Sequence, residues 1–469
     1  MHAWRQTDCL SITLNYYQDN RPFLEPRMLN LGPDGCGKSL SEFPLMQYGV
    51  AQLWKVFGQH EFIYRAIALL LFYLALLMLF KIMERIFKDS LIALVGALLL
   101  YTSPTLVYYA GNFIMNSPAL SLAIMGLSCF FWYEINGKKR YFFVFILLFT
   151  LAGLFKITAM LTFYALISLF LLQLIGVRLR EEGKVFKHPI INAISMLVVV
   201  FVQYLWYAYA SEYNGIHNPN YFLLSIYPLW SMGEAELTET LQAVDHHLNW
   251  NYFRYSTLII FLTLFAALFI LIKKVSRFYF LLLLSTFCGA MAYVILFFRA
   301  LNHHDYYVIN LFILFPLVFI NVIYVIKEGF PRLNKSFLLP ALLVVFLVHN
   351  TDFASSHMND RYSPEGNNSS YYKYFKQYNG LGEYLSEIGI DKNQQILSLF
   401  DNSYNNTLYL MNRKGYTNYG IGQQPHIIEQ KRRFGARYLV LPEGNQNKDL
   451  DRYLKRKVGQ YKGLEIFEL

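Results

Sequence analysis

Ten long apolar runs separated by brief polar stretches occupy the middle of the chain: residues 62–80, 91–110, 118–135, 141–155, 157–175, 190–210, 256–272, 278–298, 306–326 and 337–348. A hydrocarbon core about 30 Å thick takes roughly 20 apolar residues of helix, and lipid tolerates no unpaired backbone, so each run is expected to span a membrane. The fourth and tenth are short. The stretch from Tyr141 to Ile175 is longer than one crossing requires, and Gly153 and Lys156 mark the expected break between two helices.

The polar stretches test that division. The connections at residues 81–88, 138–140, 178–187, 273–277 and 327–335 together carry sixteen Lys and Arg, whereas the intervening ones carry Lys156, Arg254 and Arg299. By the positive-inside rule the rich set is cytoplasmic, so the initial loop, the 211–255 loop and the C-terminal tail are expected outside. Merging the two helices at Lys156 would scramble the alternation.

After Asn350 the pattern changes. Helical periodicity over 371–388 precedes a strand-like stretch at 395–400, helix-like stretches at 403–411 and 425–434, and a strand at 437–441. That alternation predicts a small α/β domain with a largely parallel sheet. Residues 352–368, rich in Asp, Asn, Ser, Pro and Gly, read as its linker. The expected organisation is a first extracytoplasmic loop with interfacial helices (1–61), a polytopic α-helical bundle (62–350) and an extracytoplasmic α/β domain (351–469).

Composition adds exclusions. A chain of 469 residues that is 55% hydrophobic and 15% charged is not one water-soluble globule. The net charge of +10 sits in the clusters that set topology, which argues for contact with anionic lipid and against a nucleic-acid partner. Four cysteines are too few for a disulfide framework; Cys129 and Cys288 lie inside apolar runs, and Cys9 and Cys36 of the first loop admit either one disulfide or two free thiols.

The candidate chemistry begins at the start of the chain. His2-Ala3-Trp4-Arg5-Gln6-Thr7-Asp8 leads into an aromatic, amide-rich run (Asn15-Tyr16-Tyr17-Gln18), a loop punctuated by Pro and Gly, and then Ser41-Glu42-Phe43-Pro44-Leu45 before the first apolar run. In this order the residues resemble the opening of the GT-C class of polyprenyl-phosphate-sugar-dependent membrane glycosyltransferases, in the branch of the protein O-mannosyltransferases and lipid A aminoarabinose transferases. The resemblance implies a GT-C bundle, a lipid-linked sugar donor, and an acidic catalytic base in the first outer loop, here Asp8. It also implies a span ahead of that loop which this sequence does not contain. Arg5, three residues before Asp8, falls on the same helical face and either pairs with it, lowering its pKa, or binds donor phosphate. Glu42 is a supporting candidate for catalysis; with Pro44 at a first-turn position, an acid favoured by the helix dipole is the structural alternative.

A departing phosphate needs cations. Lys156 and Arg299 are basic residues at outward helix ends, where either donor binding or snorkelling to the interface would place them. Beyond Arg299, the His304-x-Tyr306-Tyr307 element looks like the one these transferases place facing the donor site. His303, His304 and Asp305 do not present three ligands on one helical face, so no metal or other cofactor is expected. Where relatives carry an acid in an outer segment, this chain has Asn116. Glu234 and Glu236 read as a solvated helix face, and the aromatic residues at 204–207 and 252–255 as an interfacial belt. The sequons at Asn367, Asn368 and Asn405 matter only in a glycosylating host.

One motif is set aside. Residues 32–39, Gly-Pro-Asp-Gly-Cys-Gly-Lys-Ser, satisfy the phosphate-loop pattern, but no apolar strand precedes them and Pro44 interrupts the helix that should follow. What the resemblance implies is an inverting transferase acting on an extracytoplasmic acceptor hydroxyl. The alternatives are a transporter or flippase, for which related halves are lacking, and a periplasmic glycan ligase or polymerase.

Overall fold

A computed structural model describes residues 3–40, 42–219, 221–222, 226–302, 304–366, 371–419, 425–444, 450–454 and 456–469. His2, Ser41, His303 and the sequons at Asn367 and Asn368 lie outside the described residues.

The chain opens with α1 (Ala3–Asp19) and α2 (Leu45–Phe57), neither of them a span. All ten apolar runs are helical. Among the described residues seven helices are long and apolar enough to cross a membrane: α3 (Glu61–Phe87), α6 (Asn116–Asn136), Ile157–Leu174 (a 3-10 turn leading into α8, Leu161–Leu174), α9 (Pro189–His217), α12 (Arg277–Leu296), Asp305–Gly329 (a 3-10 segment leading into α13, Leu314–Gly329) and Leu338–Tyr362.

Three runs depart from the expectation. The second is bent by 81° between α4 (Ser90–Leu98) with its 3-10 extension and α5 (Pro104–Ala110). Ser103 caps α5 by accepting from the Leu106 amide, and Pro104 occupies its first turn, so the sequence starts a new helix inside the apolar run. The seventh run is α11 (Tyr255–Ile270), bent by 98° from α10 (Glu234–Trp250). The fourth is α7 (Lys139–Phe155), 17 residues, which at 1.5 Å per residue is about 25 Å long. With each bent pair as one span the count among the described residues reaches nine, and α7, the run read as short, is a further apolar helix. The break at Lys156 is present, and it is latched: the Tyr207 hydroxyl donates to the Gly153 carbonyl and accepts from the Ile157 amide, both at 3.1 Å.

The residues expected as a linker are helical as far as Tyr362, because α15 (Leu338–Tyr362), which follows a single turn α14 (Pro331–Asn334), continues past the apolar run. The C-terminal region holds α16 (Leu381–Glu387), β1 (Gln395–Ser398), α17 (Asn406–Met411), β2 (Gly415–Tyr416), α18 (Pro425–Arg433), β3 (Ala436–Pro442), β4 (Arg456–Tyr461) and β5 (Leu464–Glu468). The sheet order is β2-β1-β3-β5-β4. β2, β1 and β3 are parallel, as expected; β5 and β4 add an antiparallel hairpin that the sequence reading left out. Leu397, Leu439 and Phe467 line up across β1, β3 and β5 in the core.

The described chain forms two compact units. One comprises Met1–Tyr64, Ala208–Leu224 and Asp360–Leu469, the other Arg65–Tyr207 and Ser225–Asn359. In the first, residues 29–31 continue the sheet beside β2: the Gly415 amide donates to Leu29 and its carbonyl accepts from Leu31. In the second, α6 is buried along most of its length, and Gly126 lets it lie directly against Phe149 of α7.

Candidate active site

The middle of α1 is buried on every side, so its polar side chains must find partners inside the protein. Thr13 and Asn15 bond back to the carbonyls of Cys9 and Ser11. Asp8 finds its partners far along the chain. Its Oδ1 accepts from Asn405 Nδ2 at 2.8 Å and its Oδ2 from the Tyr221 hydroxyl at 2.7 Å, while Arg5 Nη1 stands 3.6 Å from Oδ2.

Asn405 is itself fixed. Its Oδ1 accepts from the Asn30 amide (3.0 Å) and from Ser11 Oγ (3.2 Å). The turn that carries it is held by buried Asp401, which accepts from the amides and hydroxyls of both Ser403 and Thr407. Thus the Asn405 sequon is a buried carboxylate ligand, with its amide nitrogen committed to Asp8.

Tyr221 closes the other side. Its ring stacks on Tyr404 at 3.8 Å, Tyr419 meets it edge-on, and its hydroxyl accepts from Trp4 Nε1 at 2.6 Å. Tyr404 accepts in turn from Asn218. Asp8 is 1% exposed, and each of its oxygens is engaged by a side-chain donor.

Arg5 forms its shorter contact with Glu42, Nη2 to Oε2 at 2.5 Å, and covers the Phe222 ring at 4.8 Å. Glu42 therefore orients Arg5. It lies three residues before α2 and is not the dipole-favoured acid of that helix's first turn. The expected lowering of the Asp8 pKa by Arg5 is outweighed: burial pushes the carboxyl up from 3.8 to about 6, against the opposing effects of Arg5, Tyr221 and Asn405. A carboxyl with that affinity is ionised at neutral pH and binds a proton readily, which suits a general base.

The other candidates lie in the second unit. His304 stacks on Tyr306 at 5.0 Å, Tyr307 lies 5.0 Å from Tyr306, and Lys156 Nζ is 5.8 Å from the Tyr307 ring centre, so these four form one basic and aromatic group. Asn116 donates to the Tyr306 carbonyl, and buried Asp305 accepts from the Tyr109 hydroxyl at 2.8 Å, fixing the start of the 3-10 segment. Arg299 is more exposed and binds Glu236 at 2.5 Å; the glutamate read as a solvated face is its partner. Among the described residues no three His, Cys, Asp or Glu side chains are placed to hold a metal ion. Cys9 is buried and Cys36 exposed, and neither is disulfide-bonded. Residues 32–39 form a loop, with the amide of Gly37 bonded to the Leu31 carbonyl and Asp34 to His217, and no helix follows the Lys-Ser pair.

Comparison with known structures gives close agreement in fold at low identity. ArnT from Cupriavidus metallidurans in the apo state superposes with a TM-score of 0.61 at 11% identity, covering 99% of this chain and 93% of that one. Its form bound to undecaprenyl phosphate gives 0.63 at 10% identity over the same shares. The chain has the GT-C fold. Arabinofuranosyltransferase AftD from Mycobacteria shares this GT-C architecture with a TM-score of 0.55 at 11% identity, over 99% of this chain and 38% of its own. Residues 41–207 match a family model described as dolichyl-phosphate-mannose-protein mannosyltransferase. No curated protein matches the sequence. With seven to nine helices able to cross a bilayer, this GT-C chain is a multi-pass membrane protein.

Tyr221 and Asn405 were missed in the sequence as site residues. The only signal for Asn405 was the sequon, which points to modification. Tyr221 carried no signal beyond being an aromatic residue in the loop that follows α9.

Proposed function

We propose that the chain is an inverting glycosyltransferase that moves a monosaccharide from a polyprenyl-phosphate carrier to an extracytoplasmic hydroxyl, with Asp8 as the base. The supporting observation is the Asp8 carboxyl itself, buried, held by Tyr221, Asn405 and Arg5, and poised at a pKa of about 6. The description of the matching family and the undecaprenyl phosphate bound to ArnT support a lipid-phosphate donor. The charge alternation of the connections supports an outward-facing α1.

In the reaction, the acceptor O–H bond breaks as its proton moves to the Tyr221 oxygen, whose own proton passes to Asp8. The acceptor oxygen bonds to the anomeric carbon from the side opposite the carrier. The anomeric C–O bond breaks with its electron pair on the phosphate, leaving an inverted glycoside, a polyprenyl phosphate and a protonated Asp8. A phosphate leaves as an anion and needs no acid, only positive charge and hydrogen-bond donors. We assign that role to Arg5 in the unit that holds Asp8; the group of Lys156, His304, Tyr306 and Tyr307, and Arg299 paired with Glu236, are proposed donor-phosphate contacts of the other unit.

The test is transfer in proteoliposomes supplied with a panel of polyprenyl-phosphate sugars and envelope acceptors. Asp8→Asn is expected to lower the rate at least about 100-fold, without loss of thermal stability. Transfer at the wild-type rate would overturn the assignment.

A further inference from the structure

The unit that holds Asp8 has a cleft of about 540 Å³ at the opposite end of α1. Asp8 and Asp19, at its rim, are eleven residues apart, which on a helix of 3.6 residues per turn places them on one side of α1, about 16 Å apart along the axis. The chain from Asn405 to Lys414 runs beside that side of the helix. Asn405 and Asn406 meet Asp8 and Thr7, and Asn412 and Lys414 meet Gln18 and Asp19.

The lining is cationic. Lys55, Lys392 and Lys414 face one acid, Asp19, whose carboxylate already binds Lys414 at 2.6 Å and Arg21 at 3.2 Å. Lys55 touches the neutral oxygens of Asn20 and Gln52, and Lys392 has no ion-pair partner among the described residues. A lysine near a helix C-terminus is often held by the dipole alone, which accounts for Lys55 in the last turn of α2. Lys392 lies between α16 and β1, five residues past the last residue of α16, and has no such reason to be there. The remainder of the wall is the side-chain amides of Gln18, Gln59, Asn393 and Asn412, the Tyr17 ring and Leu29, a set suited to hydroxyl-rich ligands.

We propose that this cleft binds a saccharide carrying an oxyanion, a phosphate or a carboxylate, and thereby holds the acceptor glycan at a distance from its reacting hydroxyl. This rests on the transferase reading, since it makes the bound sugar part of the acceptor. The whole protein in nanodiscs is titrated calorimetrically with glucose 6-phosphate, glucuronate, glucose and inorganic phosphate, as wild type, Asp8→Asn, and the double variants Lys55→Glu/Lys392→Glu and Lys55→Gln/Lys392→Gln.

At least one anionic sugar is expected to bind about tenfold or more tightly than glucose and than inorganic phosphate, with the two anionic sugars telling phosphate from carboxylate. Both double variants should weaken it at least about tenfold, the charge reversal more than the neutralisation, at unchanged melting temperature. Asp8→Asn should bind as wild type does. Binding no better than glucose or inorganic phosphate, or binding unaffected in both double variants, overturns the cleft. If the anionic sugar binds but no lipid-linked donor supports transfer, the transferase reading fails and the cleft stands as a glycan site.

Discussion

The base proposed at Asp8 would have to be costly to ionise without being silenced, and this carboxyl is set by burial on one side and three donors on the other. Its pKa is higher folded than unfolded, so the native state holds the proton more tightly. Stability is therefore lost as pH rises from about 4 to about 6 and is level above that. The difference between 3.8 and about 6 corresponds to about 3 kcal/mol. Asp8→Asn keeps the acceptor oxygen facing one donor and removes that cost, so its melting temperature at pH 8 is expected to equal or exceed that of the wild type. The rate–pH profile should fall below pH about 6 on its acid side. Tyr221→Phe removes a bond to the ionised form, so it should move that limb upward in pH and lower the rate by about 100-fold; a limb that stays in place would exclude Asp8 as the titrating group. Asp8 and Arg5 were legible in the sequence because they lie one helical turn apart. Tyr221 and Asn405 were not, because they lie 213 and 397 positions away and only the folded chain brings them to the carboxyl.

Elements show the same division between local and distant causes. The ten runs announce helices because lipid leaves a chain of that composition no other backbone solution. Their bends were written more quietly: Ser103-Pro104 is a cap followed by a first-turn proline, in an apolar run that hides it. Glu234 and Glu236, read as a solvated helix face, do open a helix, α10, but its length, to Trp250, and its sharp bend into α11 carried no such local mark. The β4–β5 hairpin had a usable signal in the Lys462-Gly463 turn, where both residues take positive φ; its strands, with no clear alternation, gave none. Gly415 joins the first loop to the sheet, and an added Cβ would lie 1.8 Å from the Ile396 carbonyl oxygen. Gly415→Ala must therefore break either β1–β2 pairing or the docking of residues 29–31. It is expected to cost at least about 3 kcal/mol and to lower transfer through the misplaced α1, as measured by thermal melting and turnover together.

For the molecule as a whole, the orientation proposed from the charge alternation is open to a direct check. Cys36 is exposed in the first loop, and Cys288 lies on the surface of the spanning helix α12. A membrane-impermeant maleimide is expected to label intact cells through Cys36, and Cys36→Ser should abolish the signal; labelling only after permeabilisation would reverse the topology. The fold class was readable from hydropathy and the order of motifs at the start of the chain. The joining of the initial segment to the C-terminal sheet in one unit was not, since it depends on Asn30, Asn405 and Gly415 meeting across more than 370 residues. The bond from Asn405 to Asp8 sets a timetable for synthesis. A ribosome that has already delivered every candidate span has still not supplied Asn405, so in an unfinished copy the buried Asp8 carboxyl lacks one of its hydrogen-bond donors.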